Sequence, residues 1–138
     1  MIDKAISLVA LLANPDLHQG KTILVQGFLT LEHEGNCLYL HKEDYEQGLS
    51  KNAIWVELTD AIEERLKELN LCYVTLLGVF DAQNKGHFDS CSGTIKDISR
   101  AEATLTRAGF EKQQDRYIDR NLQKLGLGPH RNQDMKDR

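Results

Sequence analysis

The stretch Lys21 to Leu40, KTILVQGFLTLEHEGNCLYL, decides the fold. From Thr22 to Leu31 the residues Ile23 and Val25 alternate with polar or outward positions. Beyond Gly27 the apolar phase moves to Phe28 and Leu31, the pattern of a long strand bent at a glycine. Gly27 is therefore the expected bend. Glu34-Gly35-Asn36 supplies turn chemistry, and Cys37 to His41 alternates Leu38 and Leu40 with Tyr39 and His41. Two antiparallel strands joined as a hairpin are predicted.

Working outward, His41 to Asn52 is polar, contains Gly48, and reads as a loop or a single helical turn. Ala53 to Leu58 is a third strand with Ile54, Val56 and Leu58 on one side. Asp60 and Glu63 resemble a capping box, after which Ile62, Leu66 and Leu69 recur on one face of a helix ending near Asn70. Such a helix can plug one end of a barrel. Leu71 to Phe80 is almost wholly apolar or β-branched and reads as a central strand. Asp81 to His87, with Asn84 and Gly86, is a hairpin loop leading to a last strand over Asp89 to Ile98. Upstream, Asp3 is placed to cap a helix with Ile6, Val9, Leu12 and Ala13 at helical spacing, stopped by Asn14-Pro15. Three strands, a helix and two more strands give a mainly β fold, a five-stranded OB-like Greek-key barrel with an N-terminal helix and a helix between strands three and four.

The composition shifts after Arg100. Leu105 and Phe110 are isolated, whereas Tyr117, Ile118, Leu122 and Leu125 make a helical stripe beside Lys112, Arg116, Arg120 and Lys124. A C-terminal amphipathic helix is expected. Beyond Leu127 the chain has no apolar content to offset ordering entropy. The expected organisation is a barrel domain with its N-terminal helix over 1–100, a helical appendage over 101–127 and a disordered tail over 128–138.

A chain of 138 residues with 41% hydrophobic side chains is enough for one core. The near-apolar stretch Leu8 to Ala13 falls far short of the roughly 20 residues a membrane-spanning helix requires. Asp3 stands where a secretory leader would be basic. Cys37, Cys72 and Cys91 are odd in number and form no CxxC pair, which fits reduced, buried, inert thiols in a cytoplasmic protein. Charge is unevenly divided. Residues 1–100 hold nine Lys or Arg against fifteen Asp or Glu, and residues 101–138 eight against six. An acidic body disfavours non-specific binding to phosphate backbones and favours a protein or peptide partner.

Asn14-Pro15, Gly20-Lys21 and Val25-Gln26-Gly27 resemble the start of small bacterial OB-type domains. The run Leu31-Glu32-His33-Glu34-Gly35-Asn36, with Leu38-Tyr39-Leu40, Lys51-Asn52 and Trp55, is similar to an uncharacterised family of such proteins. Gly78-Val79-Phe80-Asp81-Ala82, Gly86-His87 and Ser92-Gly93-Thr94-Ile95 resemble its second half. The resemblance spans roughly residues 5 to 99 and implies the fold without implying an activity.

Strand alternation that sends Leu38, Leu40, Ile54, Val56 and Leu58 inward sends Tyr39, His41, Trp55 and Glu57 outward. OB domains commonly hold ligands on that face, between hairpin loops that here carry Glu34 and His87. Tyr39, His41, Trp55, Glu34 and His87 are thus the expected partner-binding residues, an aromatic patch with a polar rim. Packing under a helix is the competing use of Tyr39 and Trp55. His33, His41 and His87, with Glu32, Glu34 and Asp89, follow no metal-ligand or acid/base spacing, so no metal, cofactor or catalytic residue is expected. Cys37 and His41 stand roughly 13 Å apart along a strand, too far to pair. Glu43, Asp44 and Glu46 read as a solvated charged turn, and Asp115 and Asp119 partly neutralise the basic stripe. The expected function is a non-catalytic binding module for a protein or peptide, possible uses being an inhibitor or immunity-type protein. The alternatives are single-strand nucleic-acid binding through Tyr39, Trp55 and Phe88, and a small enzyme.

Overall fold

The computed structural model describes residues 2–33, 35–104, 115 and 118–126. The chain divides into two compact units, 1–104 and 105–138. In the first unit the elements run β1 (Lys4–Ala5), α1 (Leu8–Ala13), β2 (Thr22–Glu32), β3 (Gly35–Tyr39), α2 (Lys42–Glu46), β4 (Ala53–Val56), α3 (Asp60–Glu68), β5 (Tyr73–Asp81) and β6 (Thr94–Ala103). In the second, 118–124 are helical. Asp115 is helical too, whereas Leu125 of the expected stripe lies in the turn after 124 and is exposed. Residues 105–114, 116–117 and 127, with Lys112, Arg116 and Tyr117, and the tail over 128–138 lie outside the described residues.

All six strands belong to one sheet, one strand more than the sequence reading provides, because Lys4 and Ala5 pair in parallel with Ile23 and Leu24. The pairings run β2 to β3, β3 to β4, β4 to β6 and β6 to β5, and β5 pairs again with β2, so they return in a ring. The β4–β6 pair is parallel, and the others in the ring are antiparallel. The predicted hairpin is present, with Leu29 opposite Leu38 and Thr30 opposite Cys37.

β2 serves two neighbours in succession, pairing with β5 over Thr22 to Phe28 and with β3 over Phe28 to Glu32. Gly27 makes the exchange possible. A Cβ there would lie 2.7 Å from the Tyr39 carbonyl oxygen and 2.8 Å from Leu38 Cγ. Gly78 does the same on β5, where a Cβ would meet the Lys96 carbonyl oxygen at 2.7 Å and Ile95 Cγ1 at 2.9 Å. The β5–β6 register shifts at this point, and Asp97 turns into the left-handed region at φ 50°. Close strand crossings at bulges of this kind bend and coil a sheet.

The core lies inside the ring. Ile23, Val25, Leu29, Leu38, Ile54, Val56, Val74, Leu76, Phe80 and Ile95 are all essentially inaccessible. Leu8 and Leu11 of α1 and Ile62, Leu66 and Leu69 in and after α3 join the same cluster. Of the face expected for α1, Ile6 and Leu12 pack partly buried against this core, but Leu8 and Leu11 are the fully buried residues and Val9 is exposed. The cap of α1 is Ser7, whose Oγ accepts from the Ala10 N–H, while the Asp3 carboxylate accepts from the Thr22 N–H at 2.8 Å. Two residues of strand precede the helix, so the apolar period of the segment is not helical from its start. Likewise Thr59, not Asp60, is the N-cap of α3, and Asp60 lies in its first turn beside the positive end of the helix dipole. The last strand starts and ends later than expected, at Thr94 and Ala103.

The end of α3 is stitched to β2 by three bonds. Leu71 N–H donates to the Leu29 carbonyl, Leu29 N–H to the Cys72 carbonyl, and Leu31 N–H to Asn70 Oδ1. Leu71 adopts φ 62° to make this turn.

Candidate functional site

The outer face of β2, β3 and β4 is not a bare surface. Phe28, Cys37, Tyr39, Ala53 and Cys91 form a second buried cluster, against which Tyr45 and Trp55 pack. Two local structures cover it: α2 at one end and the loop 82–93 at the other.

α2 exists because Asp44 is buried. Its carboxylate accepts from the His41 N–H at 3.0 Å and from Asn52 Nδ2 at 3.0 Å, tying the start of the segment to its end. The sequence reading placed Asp44 in a solvated turn, and the structure corrects it. The helix then lays Tyr45 across the cluster, its ring 5.6 Å from Tyr39 and 6.1 Å from Phe28. Tyr45 Oη donates to Glu32, and Tyr73 Oη accepts from the Lys42 N–H at 2.9 Å. Tyr39 is 9% exposed, so it packs inside and offers no outward ring. Burial first, then the nearby Cys37 and Cys91, pushes its phenol above the usual tyrosine range. His41 stands beyond the end of β3, exposed, with Nδ1 3.7 Å from the Asp44 carboxylate.

The second cover is built around Trp55. The Trp55 N–H donates to the Gly93 carbonyl at 2.7 Å, and Ser92 N–H donates to the Ala53 carbonyl, which binds the loop's C-terminal stem to β4. The backbone of Gly86 rests on the indole: a Cβ would fall 2.5 Å from Cε3. His87 meets the same indole edge-on at 5.3 Å, and Phe88 lies 6.0 Å beyond His87. Phe88 is wholly exposed, on left-handed backbone at φ 55°, and Asp89 follows at φ 52°. Lys51 holds this tip from below, donating from Nζ to the carbonyls of Asp89 and, at 3.3 Å, Cys91.

Of the five residues expected to share one outward surface, Trp55 and His87 are brought into contact. Tyr39 belongs to the packed layer, His41 caps α2, and Glu34 lies outside the described residues. Phe88, assigned in the sequence only to nucleic-acid stacking, is the most exposed aromatic ring among the described residues. Its signal was present in the Gly86-His87-Phe88-Asp89 run, a loop tip with an apolar ring and no apolar neighbour in sequence. Of the three cysteines expected to be buried, Cys37 and Cys91 are, and the expectation is corrected for Cys72. Cys72 is exposed, and Cys37 and Cys91 face each other with sulfurs 3.7 Å apart.

A cleft of about 290 Å³ is lined by the loop residues Lys85, Cys91 and Ser92 together with Pro15, Asp16 and Lys51. Among the described residues, no three His, Cys, Asp or Glu side chains gather where a metal could be held. No helix among them is long and apolar enough to cross a membrane. Compared with protein-family models and with curated proteins, the chain matches none.

Proposed function

We propose that this chain is an OB-type, non-catalytic binding module that takes a protein or peptide partner on the ridge formed by Trp55, His87 and Phe88. The barrel reading is supported by the ring of pairings, by the parallel contact between β4 and β6, and by α3 falling between β4 and β5. The proposed site lies on the outer side of β4 and on the loop between the last two strands, where such folds hold ligands.

The observation that carries the reading is Phe88. A fully exposed phenylalanine forgoes about 1.5–3 kcal/mol of burial, and left-handed backbone at a non-glycine residue costs about 1–3 kcal/mol more. Both costs fall on the same residue, which Gly86, His87 and Lys51 hold out from the body. Covering the ring on docking recovers the burial, as an anchor at the centre of an interface does. The acidic balance over residues 1–100 suits a basic partner segment. Lys51 argues against phosphate binding, because its ammonium is already occupied by two loop carbonyls.

A random-peptide library selected against the full chain tests this. Enriched peptides should bind the Phe88→Ser variant at least about 30-fold more weakly and the Glu43→Ala variant equally well. Peptides insensitive to Phe88, or no enrichment together with salt-sensitive binding of an oligonucleotide, would remove the reading.

A further inference from the structure

The loop 82–93 is fastened to the sheet by backbone bonds at its C-terminal stem and by Lys51 under its tip. A third fastening is present in reduced form. Cys37 comes from β3 and Cys91 from the loop, 54 positions apart in sequence, yet their sulfurs are 3.7 Å apart inside the second cluster. Cys37 stands opposite Trp55 in the β3–β4 register, so this pair sits directly beside the indole that supports the loop tip.

We infer that Cys37 and Cys91 form a redox pair, which a hydroperoxide converts to a disulfide that locks the 82–93 loop onto the outer face of the sheet. The inference concerns the loop's attachment and holds whatever the loop binds.

Cys91 is the sulfur equipped to react first. The Cys37 thiol as hydrogen-bond donor, the Ser90 hydroxyl at 3.8 Å and the charge of Lys51 outweigh burial and lower the Cys91 thiol to about 7, while the Cys37 thiol is raised. The Cys91 thiolate attacks one peroxide oxygen. An S–O bond forms and the O–O bond breaks, and the departing alkoxide or hydroxide takes a proton to leave as alcohol or water. The Cys37 sulfur then attacks Cys91 Sγ, forming the S–S bond and breaking the S–OH bond. The hydroxide combines with the Cys37 proton and leaves as water. Two electrons pass from the two thiols to the peroxide, and a dithiol reductant reverses the change. Cys91 has no accessible surface and Cys37 is 6% exposed, so the oxidant that fits is small and uncharged and enters when the loop lifts. Cys72, which is exposed, is the internal control for unselective oxidation.

The test uses the full chain treated with hydrogen peroxide, then alkylated and mapped by mass spectrometry. The expected result is loss of two of the three thiols, a Cys37–Cys91 linked peptide that dithiothreitol removes, and a melting temperature raised by about 10 °C in the oxidised protein. Cys72→Ser should give the same product, and Cys37→Ser should stop at a sulfenic acid on Cys91 that dimedone traps. Oxidation confined to Cys72, Cys91 carried to sulfinic acid without a crosslink, or a crosslink that leaves the melting temperature unchanged would each overturn the inference. Mapping of the wild-type chain decides the matter even where Cys37→Ser does not fold.

Discussion

The Trp55 indole and the Gly86 backbone are in direct contact, with no room for a side chain between them. A Cβ on Gly86 would lie 2.5 Å from Cε3 and 2.9 Å from Cδ2, and the residue adopts φ +75°. On the other flank of the same ring, a Cβ on Gly35 would stand at an ordinary 3.7 Å.

These two glycines should therefore respond differently to the same substitution. Gly86→Ala is expected to destabilise the unit by about 1–3 kcal/mol through strain and displacement of the loop, and Gly35→Ala by less than about 0.5 kcal/mol. The chain has one tryptophan, so its emission reports on this contact alone. A red shift in Gly86→Ala and none in Gly35→Ala is the expected spectrum, alongside urea midpoints that follow the same order.

Gly27 and Gly78 carry the strand crossings, and at each the nearest obstacle is a backbone oxygen at 2.7 Å, which cannot swing aside as a side chain can. Gly27→Ala and Gly78→Ala should each cost about 2–3 kcal/mol, at the upper end of what overpacking costs. Gly48 has left-handed backbone but open space around it. Gly48→Ala should lose only about 1 kcal/mol. Equal denaturant midpoints for all three variants would mean that the crossings are not as close as described.

Asp44 holds the 41–52 segment closed from within. Asp44→Ala leaves the His41 N–H and the Asn52 amide without their acceptor, and a loss of about 1–3 kcal/mol is expected. Loosened packing of Tyr39 and Tyr45 should appear as reduced near-ultraviolet dichroism. Glu43→Ala, one residue away and exposed, should change neither.

His18 gives the unit a dependence on pH. It is 4% exposed, its Nδ1 has no hydrogen-bond partner among the described residues, and burial, then Lys4 and Lys21, holds its pKa below the ordinary value of 6.5. The unfolded chain therefore takes up a proton near pH 6.5 that the folded one still refuses. The stability contributed by neutral His18 is complete above that pH and is lost as pH falls toward the lower folded value. Urea unfolding between pH 7.5 and pH 5 should show this decline in the wild type and a flatter profile in His18→Leu; parallel profiles would assign the decline to other groups.

How much of this was legible in the sequence depends on whether the deciding contact is local. The alternation of Ile54 and Val56, the apolar run of β5, and Ile62, Leu66 and Leu69 in and after α3 are local patterns, and the structure places these residues in the core. α1 was legible as a helix but its face only in part, through Ile6 and Leu12, because Lys4 and Ala5 are drawn into the sheet by Ile23 and Leu24, about 19 residues later. Outward alternation correctly put Tyr39 on the opposite side from Leu38. It could not show that this side is itself covered, since the covering groups, Tyr45 and Cys91, come from a single-turn helix and a loop remote in sequence. The juxtaposition of Cys37 with Cys91 has no period and no motif. It follows from three-dimensional register alone, which is why the sequence does not pair these two cysteines.

The double duty of β2 has a consequence for how the chain is made. Ile23 waits for Gly78 and Gly27 for Val74, so the first long strand to leave the ribosome lacks its main partner until some 55 further residues have been added. At synthesis rates of about 5–20 residues per second, the apolar Ile23 and Val25 stand without their β5 partners for about 3–10 seconds. During that interval β1 can pair with Ile23 and Leu24 and the β3 hairpin with Phe28 to Glu32, and the chain's exposure to misassociation is greatest before folding, not after.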